Sequence, residues 1–247
     1  MLFDLHGRVA LVTGAGQSVG AGIAATLAEA GAVVVTNDVV DARAQATAER
    51  IVDDGGQAVS AAFDVTDYDA VVAGCAKATA AVGPIDVLVN NAGIASGAGA
   101  VFFRESNREY WQRWIDINLY GVMNCSHAVI DGMCERGYGR VITISSGAGA
   151  TGLAIGMSAY AAGKGGAISF MRHLAMETAE CGVTANTLAL GLMDNVSADL
   201  IAKRGRVNPV GRLGTGRDVG TAAVWLAAEG SWITGQTIHI NGGALTT

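Results

Sequence analysis

The chain has 247 residues, with 16 basic against 22 acidic side chains and a formal net charge of −6. That length can bury a sizeable core, while the acidic balance and the lack of any basic run argue against a nucleic-acid partner. Only 15% of residues are charged, against roughly 25% in an ordinary soluble domain, so other subunits are expected to cover part of the surface. In chain order, Val9-Ala10-Leu11-Val12 reads as a buried strand, and Val19 to Ala30 as a helix ending at Gly31. Val33-Val34-Val35 is a second strand, Ala42 to Val52 a helix, and Ala58 to Phe63 a third strand. Asp67 to Ala81 is helix and Val87-Leu88-Val89 strand; a long helix follows from about Asn107 to Arg136. Val141 to Ile144 is strand, Ser158 to Glu180 helix, Thr184 to Leu190 strand, Asp218 to Ala228 helix and Thr237 to Ile240 strand. Apolar strands alternating with helices predict a parallel sheet covered on both faces. Seven strands fit one doubly wound α/β domain over residues 1–247, of the Rossmann type. Three irregular stretches, about 94–106, 147–157 and 192–216, follow the fourth, fifth and sixth strands, where open α/β sheets bind ligands.

The four cysteines (Cys75, Cys125, Cys134, Cys181) have no metal-ligand spacing and read as reduced thiols of a cytoplasmic protein; no metal is expected. The N-terminus does not read as a signal peptide. No run of about 18 apolar residues offers a membrane span.

Directly after the first strand comes Thr13-Gly14-Ala15-Gly16-Gln17-Ser18-Val19-Gly20, opening a helix. Small residues there let backbone N–H groups approach a pyrophosphate at the helix N-terminus. Asp38, at the end of the second strand, can accept hydrogen bonds from the adenosine ribose and would repel a 2′-phosphate. No Arg or Lys stands in the glycine loop or next to Asp38 in sequence. NAD is therefore expected as cofactor in preference to NADP.

Tyr160 and Lys164 are four residues apart on a helix and share one face. A phenol alone is a poor base near neutrality, with a pKa of about 10. A cation about 4 Å away, at an effective dielectric near 20, favours the phenolate by roughly 4 kcal/mol. The pair thus predicts an acid/base centre. On the long helix, Trp111, Ile115, Val122, Val129 and Met133 form an apolar stripe. Asn118 falls on that stripe, so its amide points inward and needs a partner.

The glycine loop, Asn90-Asn91-Ala92-Gly93 after the fourth strand and Tyr160-x-x-x-Lys164 together resemble the short-chain dehydrogenase/reductase family, from Gly7 to Gly243. The resemblance implies a catalytic tetrad of Asn118, Ser146, Tyr160 and Lys164. Asn118 would hold a water in a proton relay, and Ser146 would bond the reacting oxygen, with Ser145 as the alternative. Lys164 would also bind the nicotinamide ribose. The resemblance places Gly14, Gly16, Gln17, Ser18, Val19 and Gly20 at the pyrophosphate, and Asp64 and Val65 at the adenine. Asn91, Ala92 and Gly93 would line the adenosine and ribose side, with Asn90 shaping the turn. Gly191, Met193 and Asn195 would face the carboxamide. Three positions depart from the family pattern: Ser18 replaces a loop glycine, Leu190-Gly191 replaces Pro-Gly, and Asn195 replaces a threonine.

The implied activity is NAD-dependent interconversion of a secondary alcohol and its ketone, with Tyr160 taking the hydroxyl proton as hydride leaves carbon. Ile94, Phe102, Phe103, Leu153, Ile155, Met157, Leu192 and Met193 suggest an apolar substrate. Rival readings are an NADPH-dependent ketone or 3-oxoacyl reductase, a silent dinucleotide sensor or scaffold, and an epimerase or dehydratase using NAD transiently. Reductases acting on carrier protein tend to have an arginine where Cys181 stands. The family commonly pairs its two long helices between subunits, so a homodimer or homotetramer is expected.

Overall fold

The computed structural model describes residues 3–94, 99–153, 155–195, 208–228 and 232–246. Its centre is a seven-stranded sheet, parallel at every pairing. The strands are β1 (Val9–Val12), β2 (Val33–Thr36), β3 (Gln57–Ser60), β4 (Val87–Asn90), β5 (Gly139–Ser146), β6 (Val183–Leu190) and β7 (Thr237–Ile240). Their order is β3-β2-β1-β4-β5-β6-β7, the doubly wound arrangement that the alternating pattern predicts. The order reverses between β1 and β4, which opens a crevice at the carboxyl ends of the strands.

The helices are α1 (Ser18–Glu29), α2 (Asp41–Asp53), α3 (Tyr68–Val82), α4 (Arg108–Ile115), α5 (Gly121–Glu135), the short α6 (Gly147–Ala150), α7 (Ser158–Thr178) and α8 (Gly216–Ala228). Two core layers follow from the strand pleat. Ala10 and Val12 of β1 face one layer with Ile23 and Leu27 of α1 and Leu226 of α8. Val9 and Leu11 face the other, with Val71 of α3, Cys125 of α5 and Met171 of α7. Alternate residues of one strand thus serve opposite faces.

The expected long helix is interrupted. Between α4 and α5 lies a five-residue π-turn, Asp116–Tyr120. A π-turn admits one extra residue per turn and shifts the inward face. Upstream of it the buried position is Trp114, while Trp111 and Ile115 are only half-buried. Asn118, inside the turn, is fully buried. The stripe that a continuous helix predicts is therefore corrected at its N-terminal end.

Candidate active site

The glycine turn joins β1 to α1. Gly14 has φ +61°, and a methyl on it would lie 2.8 Å from Ala92 Cα. Asn91 fastens this turn: its Nδ2 donates to Thr13 O at 2.9 Å and Gly14 O at 3.1 Å. Helices α3 and α4 are capped by Asp67 and Asn107, whose side chains accept Ala70 N and Tyr110 N. Helix α1 has neither a side-chain cap nor an acid in its first turn. Its leading N–H groups are free to meet an anion, as a pyrophosphate requires. Ser18 stands at φ +49°, left-handed backbone that a glycine adopts without strain. Its small side chain makes the departure from the family glycine tolerable.

The crevice has two lobes that share Gly14, Gln17, Asp38, Ala92 and Gly93. The first, about 590 Å³, is lined by Asp38, Asp64, Val65 and Arg43, among others. The second, about 430 Å³, holds Ser18, Val19, Gly20, Asn91, Ser146, Tyr160, Lys164, Gly191, Met193 and Asn195. The sequence-predicted residues thus converge, apart from Gly16, which borders Asp38 from beneath, and Asn118, which borders Gly93 behind the wall.

Asp38 is 6% exposed, and its Oδ1 accepts Val40 N at 3.0 Å. Oδ2 lies only 2.5 Å from where a Gly16 methyl would stand. Sequence reasoning missed Arg43, whose Cβ is 2.5 Å from that same point; distance along the chain hid it. Asp64 is turned on its own loop, accepting from Thr66 N and Oγ1 at 2.8 Å. Val65 O accepts Asn124 Nδ2 at 2.9 Å. Asn90, expected to shape the turn, instead reaches sideways to Ser126 at 3.2 Å and Thr143 at 3.3 Å.

In the second lobe, β5 presents Ser146 and α7 presents Tyr160 and Lys164. Tyr160 and Lys164 are each 6% exposed. Burial pushes the Tyr160 phenol up, and the Ser146 hydroxyl partly offsets this. Burial lowers the Lys164 ammonium to about 8. Burial is the leading influence on both groups. Lys164 Nζ donates to Ile144 O at 2.8 Å. Asn118 Nδ2 donates to Trp114 O at 2.9 Å, while its Oδ1 is buried without a protein partner among the described residues. A methyl on Gly93 would lie 3.1 Å from Asn118 Oδ1 and 3.4 Å from Lys164 Nζ. The acceptor and the ammonium therefore border one spot.

The two serines differ. Ser145 is 3% exposed and donates to Lys164 O at 3.1 Å, tying β5 to α7. Ser146 accepts Ala148 N at 3.2 Å, starts α6 and acts on the phenol. Met193 is buried, and its neighbours bridge to Gly214 through Asp194 N at 2.9 Å and Leu192 O at 3.1 Å. Gly191 N donates to Ile240 O at 3.0 Å, and a methyl there would meet Asn241 Cα at 2.8 Å. Glycine is thus required after Leu190 whether or not a proline precedes it.

Of the apolar residues expected around the substrate, Met157 shares a buried cluster with Trp114, Ala159 and Tyr160, and Ile94 and Ile155 pack against that cluster. Phe102, Phe103 and Leu153 are exposed. Parts of the expected substrate loops, 95–98, 154 and 196–207, lie outside the described residues. No described helix is long and apolar enough to cross a membrane, and no described cluster of His, Cys, Asp and Glu could hold a metal.

The uncapped α1 terminus, the Gly16 cradle beside Asp38 and the orphaned Asn118 acceptor fit a dinucleotide. Comparison with known proteins agrees. A family model described as short chain dehydrogenase matches residues 8–204. The 3-oxoacyl-(acyl-carrier-protein) reductase of Vibrio cholerae is 37% identical, with 97% of this chain and 98% of that protein covered. The acetoacetyl-CoA reductase of Shinella zoogloeoides is 40% identical, with 96% and 98% covered. A 3-oxoacyl reductase from Brucella melitensis with bound NAD superposes at TM-score 0.92, with 34% identity and 100% and 94% coverage. A gluconate 5-dehydrogenase from Burkholderia cenocepacia, in complex with NADP and tartrate, gives 0.89, with 35% identity and 98% and 96% coverage. The family match over most of the chain and these relatives place it together: the chain belongs to the short-chain dehydrogenase/reductase family of oxidoreductases.

Proposed function

We propose that this protein interconverts a 3-oxoacyl compound and its 3-hydroxy counterpart, using a nicotinamide dinucleotide. One observation carries the chemistry: Ser146, Tyr160 and Lys164 line a single crevice continuous with the glycine turn. The relatives named as 3-oxoacyl and acetoacetyl-CoA reductases support this substrate class over a free hydrophobic alcohol. The apolar cluster that holds Tyr160, with Met157 in it and Ile94 and Ile155 packed against it, disfavours a polyol. Cys181 in place of an arginine favours a small acyl carrier such as coenzyme A over a carrier protein.

Ser146 Oγ and Tyr160 Oη hold the substrate oxygen. Tyr160 gives that oxygen a proton in reduction and removes one in oxidation. Lys164 stabilises the phenolate and orders the ribose side. Asn118 Oδ1 accepts from a water that passes the proton on toward Lys164. The dinucleotide, when bound, supplies or receives the hydride. Asp38 favours NAD(H) over the phosphorylated form. Exposed Met123 on α5 and Met176 on α7 suit pairing of these helices in a dimer or tetramer.

The test is purified protein with acetoacetyl-CoA or 3-hydroxybutyryl-CoA and each dinucleotide, followed at the reduced-nicotinamide absorbance. Turnover that falls by at least about 100-fold in Tyr160→Phe, with dinucleotide binding kept, is the expected result. Tight dinucleotide binding without any conversion would instead identify a sensor.

A further inference from the structure

Tyr160 does not stand against an ordinary aliphatic wall. Trp114, the last inward-facing residue before the π-turn, is 2% exposed. Its indole meets the Tyr160 ring edge-to-face, with centroids 5.4 Å apart and planes at 78°. Such pairs hold a preferred geometry. The Trp114 backbone carbonyl accepts Asn118 Nδ2 at 2.9 Å. A methyl on Gly163 would stand 3.0 Å from that carbonyl oxygen and 3.0 Å from Asn118 Cβ; glycine there lets α7 come this close. On the outer side, Tyr110 packs on Trp114 with centroids 5.8 Å apart. Tyr110 Oη then donates to Gly99 O at 3.0 Å, in the loop after β4. One residue therefore touches the phenol by its ring and the relay amide by its carbonyl. Through Tyr110 it is also tied to Gly99.

We propose that Trp114 is a positioning residue, whose indole fixes the Tyr160 phenol against Ser146 and keeps water from its ring. This rests on the acid/base role of Tyr160 given above. The polar groups at the phenol come from β5 and from its own helix: the Ser146 hydroxyl and, one turn on, Lys164. From the α4 side the contact is aromatic, and Asn118 supplies only an amide. Removing the indole admits water to the phenol. Its desolvation is relieved, and its titration midpoint falls.

The experiment compares Trp114→Leu and Trp114→Phe with the unaltered protein. Three quantities are read: kcat for acetoacetyl-CoA reduction, the calorimetric dissociation constant for the dinucleotide, and the phenol titration of ligand-free protein by carbon-13 tyrosine spectra, with Tyr160→Phe identifying the signal. Trp114→Leu should lose about tenfold or more in kcat and lower the midpoint by about half a pH unit or more, with the dissociation constant within about twofold. Trp114→Phe, which keeps an aromatic contact, should fall between. An unmoved midpoint in either variant would overturn the proposal. So would a kcat loss matched by lost dinucleotide binding. If Trp114→Leu does not fold, Trp114→Phe decides alone: its midpoint must lie below that of the unaltered protein. A protein that turns over no substrate would refute the proposed function, while the ligand-free titration would still judge Trp114.

Discussion

Replacing Asp38 by asparagine is a direct test of dinucleotide choice. The Asp38 carboxylate is almost fully buried and leans over Gly16, with one oxygen held by Val40 N. A 2′-phosphate on the adenosine ribose would be repelled by the other oxygen, and a separation of about 5 Å serves to size the effect. At that range two unit charges repel by about 3 kcal/mol at an effective dielectric near 20. Arg43 shares the rim and is exposed, so it offsets part of this. Asparagine keeps an acceptor for Val40 N and removes only the charge. The dissociation constant for NADPH should fall about 100-fold, since 3 kcal/mol is slightly over two decades. That for NADH should rise about tenfold, through loss of a charge-assisted ribose hydrogen bond. Calorimetric titration measures both. Arg43→Ala added to Asp38→Asn should take back most of the NADPH gain. An unchanged NADPH-to-NADH ratio in Asp38→Asn would refute the electrostatic argument and assign the choice to the shape of the lobe.

The serine pair separates by assay: Ser146→Ala should depress turnover with little change in stability, whereas Ser145→Ala should cost about 1 kcal/mol of stability through its bond to Lys164 O. The reverse pattern in turnover would make Ser145 the reacting partner. Burial lowers the Lys164 ammonium from 10.5 to about 8, so between those values the unfolded chain holds more protons than the folded one. This group's contribution to stability therefore rises with pH across that window, and its burial cost is felt in full below about pH 8. Lys164→Met should flatten the rise in urea midpoint between about pH 8 and about pH 10, and parallel profiles would contradict this assignment. Asn118→Leu removes an orphaned buried acceptor; it should keep or raise the denaturation midpoint while lowering kcat at least about tenfold. Loss of both together would mean that the amide is mainly structural.

The strands were legible because apolar runs in this sequence are short and interrupted by turns. One boundary failed instructively. Residues 61–63 look like a continuation of β3, yet the strand ends at Ser60. The Asn37 amide takes the carbonyls of Ala61 and Phe63, both at 3.0 Å, so a side chain satisfies what a neighbouring strand would. The helix from Arg108 to Glu135 was legible as one object, but its π-turn was not: a single inserted register leaves no compositional mark. That offset placed Trp114 inward and kept it out of the expected stripe. Arg43 escaped for another reason: it stands in the first turn of α2, beyond the residues next to Asp38 in sequence, yet lines the same lobe. The convergence of Ser146, Tyr160 and Lys164 on one crevice was readable, because they sit at a strand end and on successive turns of one helix.

The crevice divides along the seam formed by Gly14, Asp38 and Gly93. On one side stand Arg43, Asp64 and Val65, all from the N-terminal half of the chain. On the other stand Ser146, Tyr160, Lys164 and Met193, all from beyond β4. The residues expected to meet the adenosine end thus lie mainly on the segments after β2 and β3, and those expected to handle protons on β5 and α7, while Gly14, Gln17 and Asp38 serve both lobes. Substitutions at Arg43, Asp64 or Val65 can therefore reshape one lobe while Ser146, Tyr160 and Lys164 stay as they are, whereas a change at a seam residue such as Asp38 reaches both.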